Sequence, residues 1–211
     1  MTPNLLLAAI MLINFMLVAS NRVDKCISLA AVQGLLLALI LLLMHPHWTF
    51  LALLMAAGTA GIKGVLIPVM LHRAQDRMRQ EREPEPYVGY TATLIMAAAG
   101  TGLAFLLARR LPLQPGNLGT LFVPASIMAL FTGFLLLTTR KRALLQVVGY
   151  LVLENGVYLF SLLLVKEMPL LVESGVLLDL VVGIFVMGIV INHITTAFDS
   201  QDTHRLAHLK D

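Results

Sequence analysis

Seven apolar runs dominate this chain, and each is close to the length that a helix needs to cross a lipid bilayer. About 20 residues are required, since each residue rises 1.5 Å and the hydrocarbon layer is roughly 30 Å thick. The runs predict spanning helices at residues 4–20, 28–44, 48–71, 87–108, 118–138, 143–165 and 170–194. Only 13% of the residues are charged, against about 25% in soluble domains. The sequence therefore predicts an all-α, polytopic membrane protein without a soluble domain.

The connections divide the predicted helices into three segments. Residues 1–86 hold three helices and a cytoplasmic loop, 87–117 the fourth helix and an outer loop, and 118–211 three helices and a short cytoplasmic tail. The loop, residues 72–86, interleaves Arg with Glu and closes with two prolines, a composition typical of a short solvated connection.

The basic residues predict the orientation, because cytoplasmic turns of membrane proteins are enriched in Lys and Arg. An outside N-terminus and a cytoplasmic C-terminus put eleven cations in cytoplasmic turns and three in outer turns. The eleven are Arg22, Lys25, Arg73, Arg77, Arg79, Arg82, Arg140, Lys141, Arg142, Arg205 and Lys210, and the three are Arg109, Arg110 and Lys166. Cations dispersed among turns in this way do not form the patch that nucleic-acid binding requires.

The sequence lacks a set of side chains that could bind a metal ion or a redox centre. Cys26 is the only cysteine, so no disulfide, cysteine zinc site or iron–sulfur cluster can form within the chain. His45 and His47 share an outer turn but lack a third ligand, and polar anchoring beside Trp48 is the favoured interpretation. No hydrolase, zinc-protease or phosphate-loop motif is present. We expect no bound cofactor and no independent enzymatic activity.

Ionisable side chains within the spans are the strongest functional signal, since each costs about 2.5–3.5 kcal/mol at a helix centre. Glu154 lies in the middle of the sixth span. Gln146, Tyr150 and Tyr158 share its four-residue spacing, and Asn155 is adjacent. This polar stripe is expected to face a neighbouring helix rather than lipid.

Two further acids occur in the last predicted span. Asp179 stands four residues from both Gly175 and Gly183, which leaves room for a close-packed helix or for water. Glu173 is nearer the outer end and points about 120° away from Asp179. His193, near the cytoplasmic end, is either a proton exit to solvent or an interfacial anchor.

Lys63 is the one cation inside a predicted span, in a stretch rich in Gly58, Gly61 and Gly64. Pro68 cannot donate to the carbonyl of Gly64, so a kink is expected there. Two readings stay open. Lys63 pairs with Glu154 or Asp179 only to hold helices together, or Lys63, Glu154, Asp179 and Glu173 transfer protons, as buried ionisable groups do in pumps and transporters.

Four segments carry a resemblance to a known family: QVVGYLVLENGVYLFSLLL, LVESGVLLDLVVGIFVMGIVI, IKGVLIPVM and the terminal RLAHLKD. Together they resemble component E of hydrogenase-4 and related formate hydrogenlyase complexes. Residues 118–211 are also similar to the K-type subunit of respiratory complex I and the C subunit of Mrp-type antiporters. By that likeness Asp179 matches the second intramembrane acid and Asn155 an asparagine after the first, whereas Leu151 stands where the first acid is expected.

The resemblance implies a non-redox subunit in the membrane arm of a nickel–iron hydrogenase complex of the bacterial inner membrane, contributing to proton or cation translocation. Iron–sulfur clusters and the nickel–iron centre would reside in partner subunits. The implied partners are antiporter-like and other membrane-arm subunits, the peripheral hydrogenase arm and lipid. The alternatives are a structural spacer between antiporter-like subunits and the hydrogenase arm, or the equivalent subunit of an Mrp-type or complex I-like assembly. An autonomous transporter would favour an internal repeat, which the sequence lacks.

Overall fold

Helices make up all the regular structure of residues 3–44, 50–77, 86–110 and 121–164, which are the residues that the computed structural model describes. The helices are α1 Pro3–Ala19, α2 Val23–Met44, α3 Phe50–Gly61, α4 Ile67–Arg77, α5 Tyr90–Arg110, α6 Phe122–Thr139 and α7 Ala143–Leu164. A five-residue π-helical turn, Ile62–Leu66, joins α3 to α4 without a break. The predicted all-α class is confirmed.

Membrane-spanning length is reached by four of the described helices, α2, α5, α6 and α7. Each has an apolar core long enough to cross the hydrocarbon layer, so the protein is a multi-pass membrane protein. The helix α1 is also apolar but has 17 residues. The predicted last span, residues 170–194, lies outside the described residues, so the count of seven and the orientation stay predictions.

Several described helices differ from the predicted spans at their ends, and α2 begins at Val23 rather than at residue 28. The helix predicted to end at residue 71 continues through Arg77, because Leu71 and Ala74 are buried on one face while Arg73 and Asp76 are exposed on the other. An amphipathic helix of this kind extends past the apolar run that a hydropathy window detects. The next helix begins at Tyr90 rather than at residue 87. The N–H of Tyr87 donates to the carbonyl of Thr139 at 3.0 Å and so lies outside the helix.

Glycines bring α6 and α7 into direct backbone contact, and this pair shares the most extensive interface in the described bundle. A Cβ atom added to Gly156 would lie 2.6 Å from the backbone nitrogen of Leu130, and one added to Gly149 would lie 2.8 Å from Cβ of Leu136. Small residues permit such approach between helices in membranes, where packing replaces the hydrophobic driving force.

The described core has two large apolar clusters at different heights in the bundle and a smaller third cluster of Val18, Ala97 and Leu135. The first includes Leu17, Ile27, Leu71, Val148 and Val152, near the turns that join α1 to α2 and α6 to α7. The second includes Leu7, Ile10, Leu37, Phe122 and Leu159, toward the opposite end. Between the two clusters the buried residues are Gln33 and Gly34 on α2 and Glu154, Asn155 and Gly156 on α7, and this level carries the candidate site.

Candidate functional site

Five polar side chains from α1, α2, the π-helical turn and α7 meet between the two apolar clusters, and we call them the polar layer: Asn14, Gln33, Lys63, Glu154 and Asn155. Asn14 and Gln33 are fully buried, and Glu154 and Asn155 nearly so. Because every described helix around them is apolar, their polar atoms depend on one another rather than on lipid for partners.

Lys63 and Glu154 form an ion pair at the centre of this layer. The Lys63 Nζ lies 3.7 Å from Oε2 of Glu154, with side-chain exposures of 9% and 5%. Nζ also donates a hydrogen bond to Oδ1 of Asn155 at 3.3 Å and lies 5.7 Å from the ring centroid of Tyr158. Carboxylate, amide oxygen and aromatic face therefore all stabilise a positive charge on Lys63.

The three amides of the layer form a chain of hydrogen bonds that runs in one direction. Asn155 Nδ2 donates to Oε1 of Gln33 at 3.4 Å, and Gln33 Nε2 donates to Oδ1 of Asn14 at 3.2 Å. Each amide thus presents its oxygen toward Lys63 and its N–H groups away from it. The ammonium polarises this chain, and in a low dielectric the successive bonds strengthen one another.

The π-helical turn positions Lys63 against α2. Its closing bond runs from the N–H of Ile67 to the carbonyl of Ile62, one residue further than in an α-helix, and Pro68, which follows, has no N–H to donate. The irregularity that the sequence predicted as a kink at Pro68 therefore includes a widened turn just before it. Such π-bulges are rare and occur often at functional sites.

The glycines around Lys63 have unequal roles. A Cβ on Gly64 would lie 2.5 Å from Cδ2 of Leu35, so this glycine lets the π-helical turn approach α2. Cβ atoms on Gly58 or Gly61 would meet nothing within 4 Å. Of the glycines that the sequence singled out near Lys63, only Gly64 is thus in close contact with α2 in the described structure.

Comparison with known proteins places this chain in a family. The chain is 30% identical over 206 residues to Uncharacterized protein Rv0085 of Mycobacterium tuberculosis (strain ATCC 25618 / H37Rv), covering 96% of this chain and 93% of that protein. The chain belongs to the family of this mycobacterial protein. It is also 26% identical over 216 residues to Hydrogenase-4 component E of Escherichia coli (strain K12) and of Shigella flexneri, covering all of this chain and 98% of each relative. No family model and no solved structure matches the chain.

The full-length similarity to Hydrogenase-4 component E supports the resemblance that the motifs indicated. The further likeness of residues 118–211 to the K-type and Mrp C subunits stays a prediction. In this member of the family, the segment containing Glu154 and Asn155 and the segment containing Lys63 meet in space, although they lie far apart along the chain.

The predicted polar stripe on α7 does not stay on one face of the bundle. Glu154 and Tyr158 are buried, Tyr150 is half-buried, and Gln146 donates from Nε2 to the carbonyl of Arg140 at 2.9 Å. Gln146 lies eight residues before Glu154, about 12 Å away along the helix axis, so it is beyond reach of the polar layer and binds the turn before α7.

Several predicted site residues cannot be placed. Asp179, Glu173 and His193 lie outside the described residues, as do His45, His47 and Trp48 of the predicted outer turn. Within the described ranges no three His, Cys, Asp or Glu side chains lie close enough to hold a metal ion.

Sequence reasoning missed Asn14 and Gln33. Both are single amides inside apolar runs, INFML and VQGLL, and neither carries the charge that draws attention to Lys63 or Glu154. Their burial could nonetheless have been predicted, because an amide in a spanning helix requires a hydrogen-bonding partner on another helix.

Proposed function

We propose that this chain is a non-redox subunit in the membrane arm of a membrane-bound hydrogenase complex, and that its polar layer takes part in proton or cation translocation. The observation that carries the proposal is a buried Lys63–Glu154 pair in a chain similar over its whole length to Hydrogenase-4 component E. Ionisable groups at membrane depth are expensive to insert and mark ion pathways by default.

The arrangement of the layer suggests how charge would move. Lys63 and Glu154 are its titratable groups, whereas Asn14, Gln33 and Asn155 cannot exchange protons under ordinary conditions and act as fixed dipoles. A proton arriving on Glu154 removes the counter-charge of Lys63, and the amide chain then stabilises the ammonium until its proton leaves. Lys63 and Glu154 are thus the proton carriers, and the amides orient them.

The two apolar clusters make a path along the membrane plane more favourable than one across it. Above and below the polar layer the described core clusters consist mainly of Leu, Ile, Val and Ala side chains, which offer a proton no partner, with Cys26 and Tyr158 as the exceptions. Protons would therefore enter and leave this subunit sideways, through neighbouring subunits. The candidates to continue the path are Asp179, Glu173 and His193 in the proposed seventh span. The proposed orientation puts the N-terminus outside.

The proposed setting is the bacterial inner membrane, in a complex of the hydrogenase-4 or formate hydrogenlyase type. Redox centres would belong to other subunits, namely iron–sulfur clusters and a nickel–iron site in a peripheral arm. Antiporter-like subunits are the proposed neighbours in the membrane. An Mrp-type or complex I-like assembly is the alternative setting for the same subunit.

A structural spacer is the second candidate function, and the ion pair itself favours it. Lys63 and Glu154, with the amide chain, tie four helical segments together without any need for proton exchange. Under this alternative the layer fixes the shape of the subunit, so that antiporter-like subunits dock correctly against the hydrogenase arm.

Replacing Glu154 by Gln in the assembled complex tests the two functions. Asp24→Asn is the matched control, since it makes the same acid-to-amide change at an exposed position at the start of α2. Proton movement linked to hydrogen turnover is measured in inverted membrane vesicles with a pH-sensitive dye, and assembly by co-purification of hydrogenase activity. We expect Glu154→Gln to assemble but to lose most proton movement, and Asp24→Asn to retain it.

Normal proton movement in assembled Glu154→Gln and Lys63→Met complexes would reject the relay and leave the spacer. The purified chain alone in vesicles provides a second arm. Proton uptake by the isolated chain would contradict the role of a subunit whose path continues into its neighbours.

A further inference from the structure

Arg140, in the turn between α6 and α7, is a buried cation that lies outside the polar layer. Its residue surface is only 2% exposed. Its Nη2 donates to the carbonyl of Val18 at 2.6 Å, at the end of α1, and its guanidinium stacks on the ring of Tyr90, 4.4 Å from the centroid. This contact satisfies one of the carbonyls that the last turn of α1 leaves without a helical partner.

The rest of the Arg140 guanidinium has no such partner. Among the described residues neither Nε nor Nη1 finds a hydrogen-bond acceptor, although both atoms are buried. Buried charges in proteins are ordinarily paired, since removing an ion from water without compensation costs several kcal/mol. Two donors on a full positive charge are therefore available to an acceptor that the described residues do not supply.

A small cleft opens beside this guanidinium. Arg140, Lys141 and Arg142 line it together with Asn21 and Tyr90, and it contains about 250 Å³ of empty space, its open mouth included. None of the described residues that line it carries a carboxylate. The acid Asp24, at the nearby start of α2, pairs with Arg22 instead, at 4.0 Å.

The cleft lies where the ends of α1 and α6 and the starts of α5 and α7 meet. Lys141 is exposed at its mouth and is held over the ring of Tyr87, 4.8 Å from the centroid. The guanidinium donors of Arg140 that have no described acceptor, and the exposed ammonium of Lys141, suit a phosphate group, which guanidinium binds with charge-assisted hydrogen bonds.

We propose that this cleft binds a phosphate group, with Arg140 as the inner donor and Lys141 as the cation at its mouth. A phosphate at a helix end in the membrane–water interface has two sources, the headgroup of an anionic phospholipid and free inorganic phosphate. Basic pockets between helices on the cytoplasmic side of membrane proteins commonly hold anionic headgroups. This site does not depend on proton translocation through the polar layer.

Binding to the purified full-length chain in a neutral detergent tests the proposal. Phosphatidylglycerol, zwitterionic phosphatidylcholine and sodium phosphate are titrated separately, and bound ligand is counted by native mass spectrometry. Lys141→Gln is the main variant, because an exposed side chain can be replaced without loss of the fold. Lys25→Gln removes an exposed cation from α2 outside the cleft and is the matched control. Arg140→Gln is a secondary variant, as it also removes the contact with Val18.

We expect phosphatidylglycerol to bind the wild-type chain more tightly than phosphatidylcholine. Lys141→Gln should weaken this binding about fivefold, the contribution of one interfacial cation, and Lys25→Gln should leave it unchanged. The same variant pattern with sodium phosphate would support the site and identify free phosphate as its source. Failure of the wild-type chain to bind either probe, or equal affinity in Lys141→Gln and Lys25→Gln, would overturn the proposal. The counter-charge of Arg140 would then belong to a carboxylate of this chain outside the described residues.

Discussion

Gly34 packs directly against Lys63. A Cβ atom added to Gly34 would lie 2.8 Å from Cβ of Lys63 and 3.3 Å from its backbone oxygen. Gly34 directly follows Gln33 on α2. Because Gly34 has no side chain, the π-helical turn packs close enough to α2 for hydrogen bonds to link Lys63, Asn155 and Gln33. The geometry of the polar layer thus depends on a residue that contributes no polar side-chain atom to it.

Gly34→Ala is therefore expected to push the π-helical turn away from α2 and to disturb the Lys63–Glu154 pair. The cost should be about 1–3 kcal/mol in the free energy of unfolding, as for other overpacking substitutions. Gly61→Ala, where an added Cβ meets no described atom within 4 Å, is the control and should be neutral or slightly stabilising. Denaturation with SDS in mixed micelles, followed by circular dichroism, measures both. Equal stability of the two variants would contradict the packing role of Gly34.

Removing one partner of the Lys63–Glu154 pair should destabilise more than removing both. Lys63→Met leaves a buried carboxylate and Glu154→Gln leaves a buried ammonium, each expected to cost about 3–5 kcal/mol. The double variant leaves neither charge and should lose clearly less than the sum. A double-mutant cycle on unfolding free energies checks this, and strictly additive losses would show that the two groups do not interact.

The amide chain predicts an order of stability among substitutions to leucine. Gln33→Leu removes two interhelical hydrogen bonds, those to Asn14 and Asn155, whereas Asn14→Leu removes only the terminal one. Each such bond contributes about 0.6 kcal/mol on average and up to about 1.7 in membrane proteins. The loss for Gln33→Leu should accordingly be about twice that for Asn14→Leu in the same assay. The reverse order would exclude a chain that passes through Gln33.

The α6–α7 interface should tolerate no side chain at Gly133. An added Cβ would meet backbone atoms of Leu153 and Gly149, which cannot move aside as a flexible side chain can. Gly133→Ala is expected to cost at least about 1–3 kcal/mol, whereas Gly102→Ala on α5, whose added Cβ meets no described atom within 4 Å, should not destabilise. Thermal unfolding of both variants in detergent provides the comparison. Equal stability of Gly133→Ala and Gly102→Ala would mean that α6 and α7 are not in contact at Gly133.

Hydropathy was sufficient to predict the helical class and the places where most helices lie. It also identified Lys63 and Glu154, because a charge within an apolar run stands out at any helix register. It did not reveal Asn14, Gln33 or Arg140. The first two are neutral, and Arg140 was counted among the cations of a cytoplasmic turn, whereas the structure buries its side chain between the end of α1 and Tyr90.

The partners of each charge could not be predicted from sequence, because partner choice depends on how helices rotate and approach one another. The sequence left Lys63 equally free to pair with Glu154 or Asp179, and it assigned Gln146 to the same stripe as Glu154. The described structure pairs Lys63 with Glu154 and turns Gln146 toward Arg140. The eight-residue separation of Gln146 and Glu154, about 12 Å along the helix axis, accounts for the second difference.

By itself, then, the sequence determined that this protein folds as apolar helices and that a few ionisable groups are carried to membrane depth, since lipid admits only helices whose backbone is internally bonded. Only the tertiary structure decided that the π-helical turn and Gly34 bring Lys63 onto Glu154 and Asn155, and that two amides extend this contact to α1. The reason is that residues far apart in the chain acquire neighbours through close packing, and the small residues that permit such packing leave only a weak trace in hydropathy.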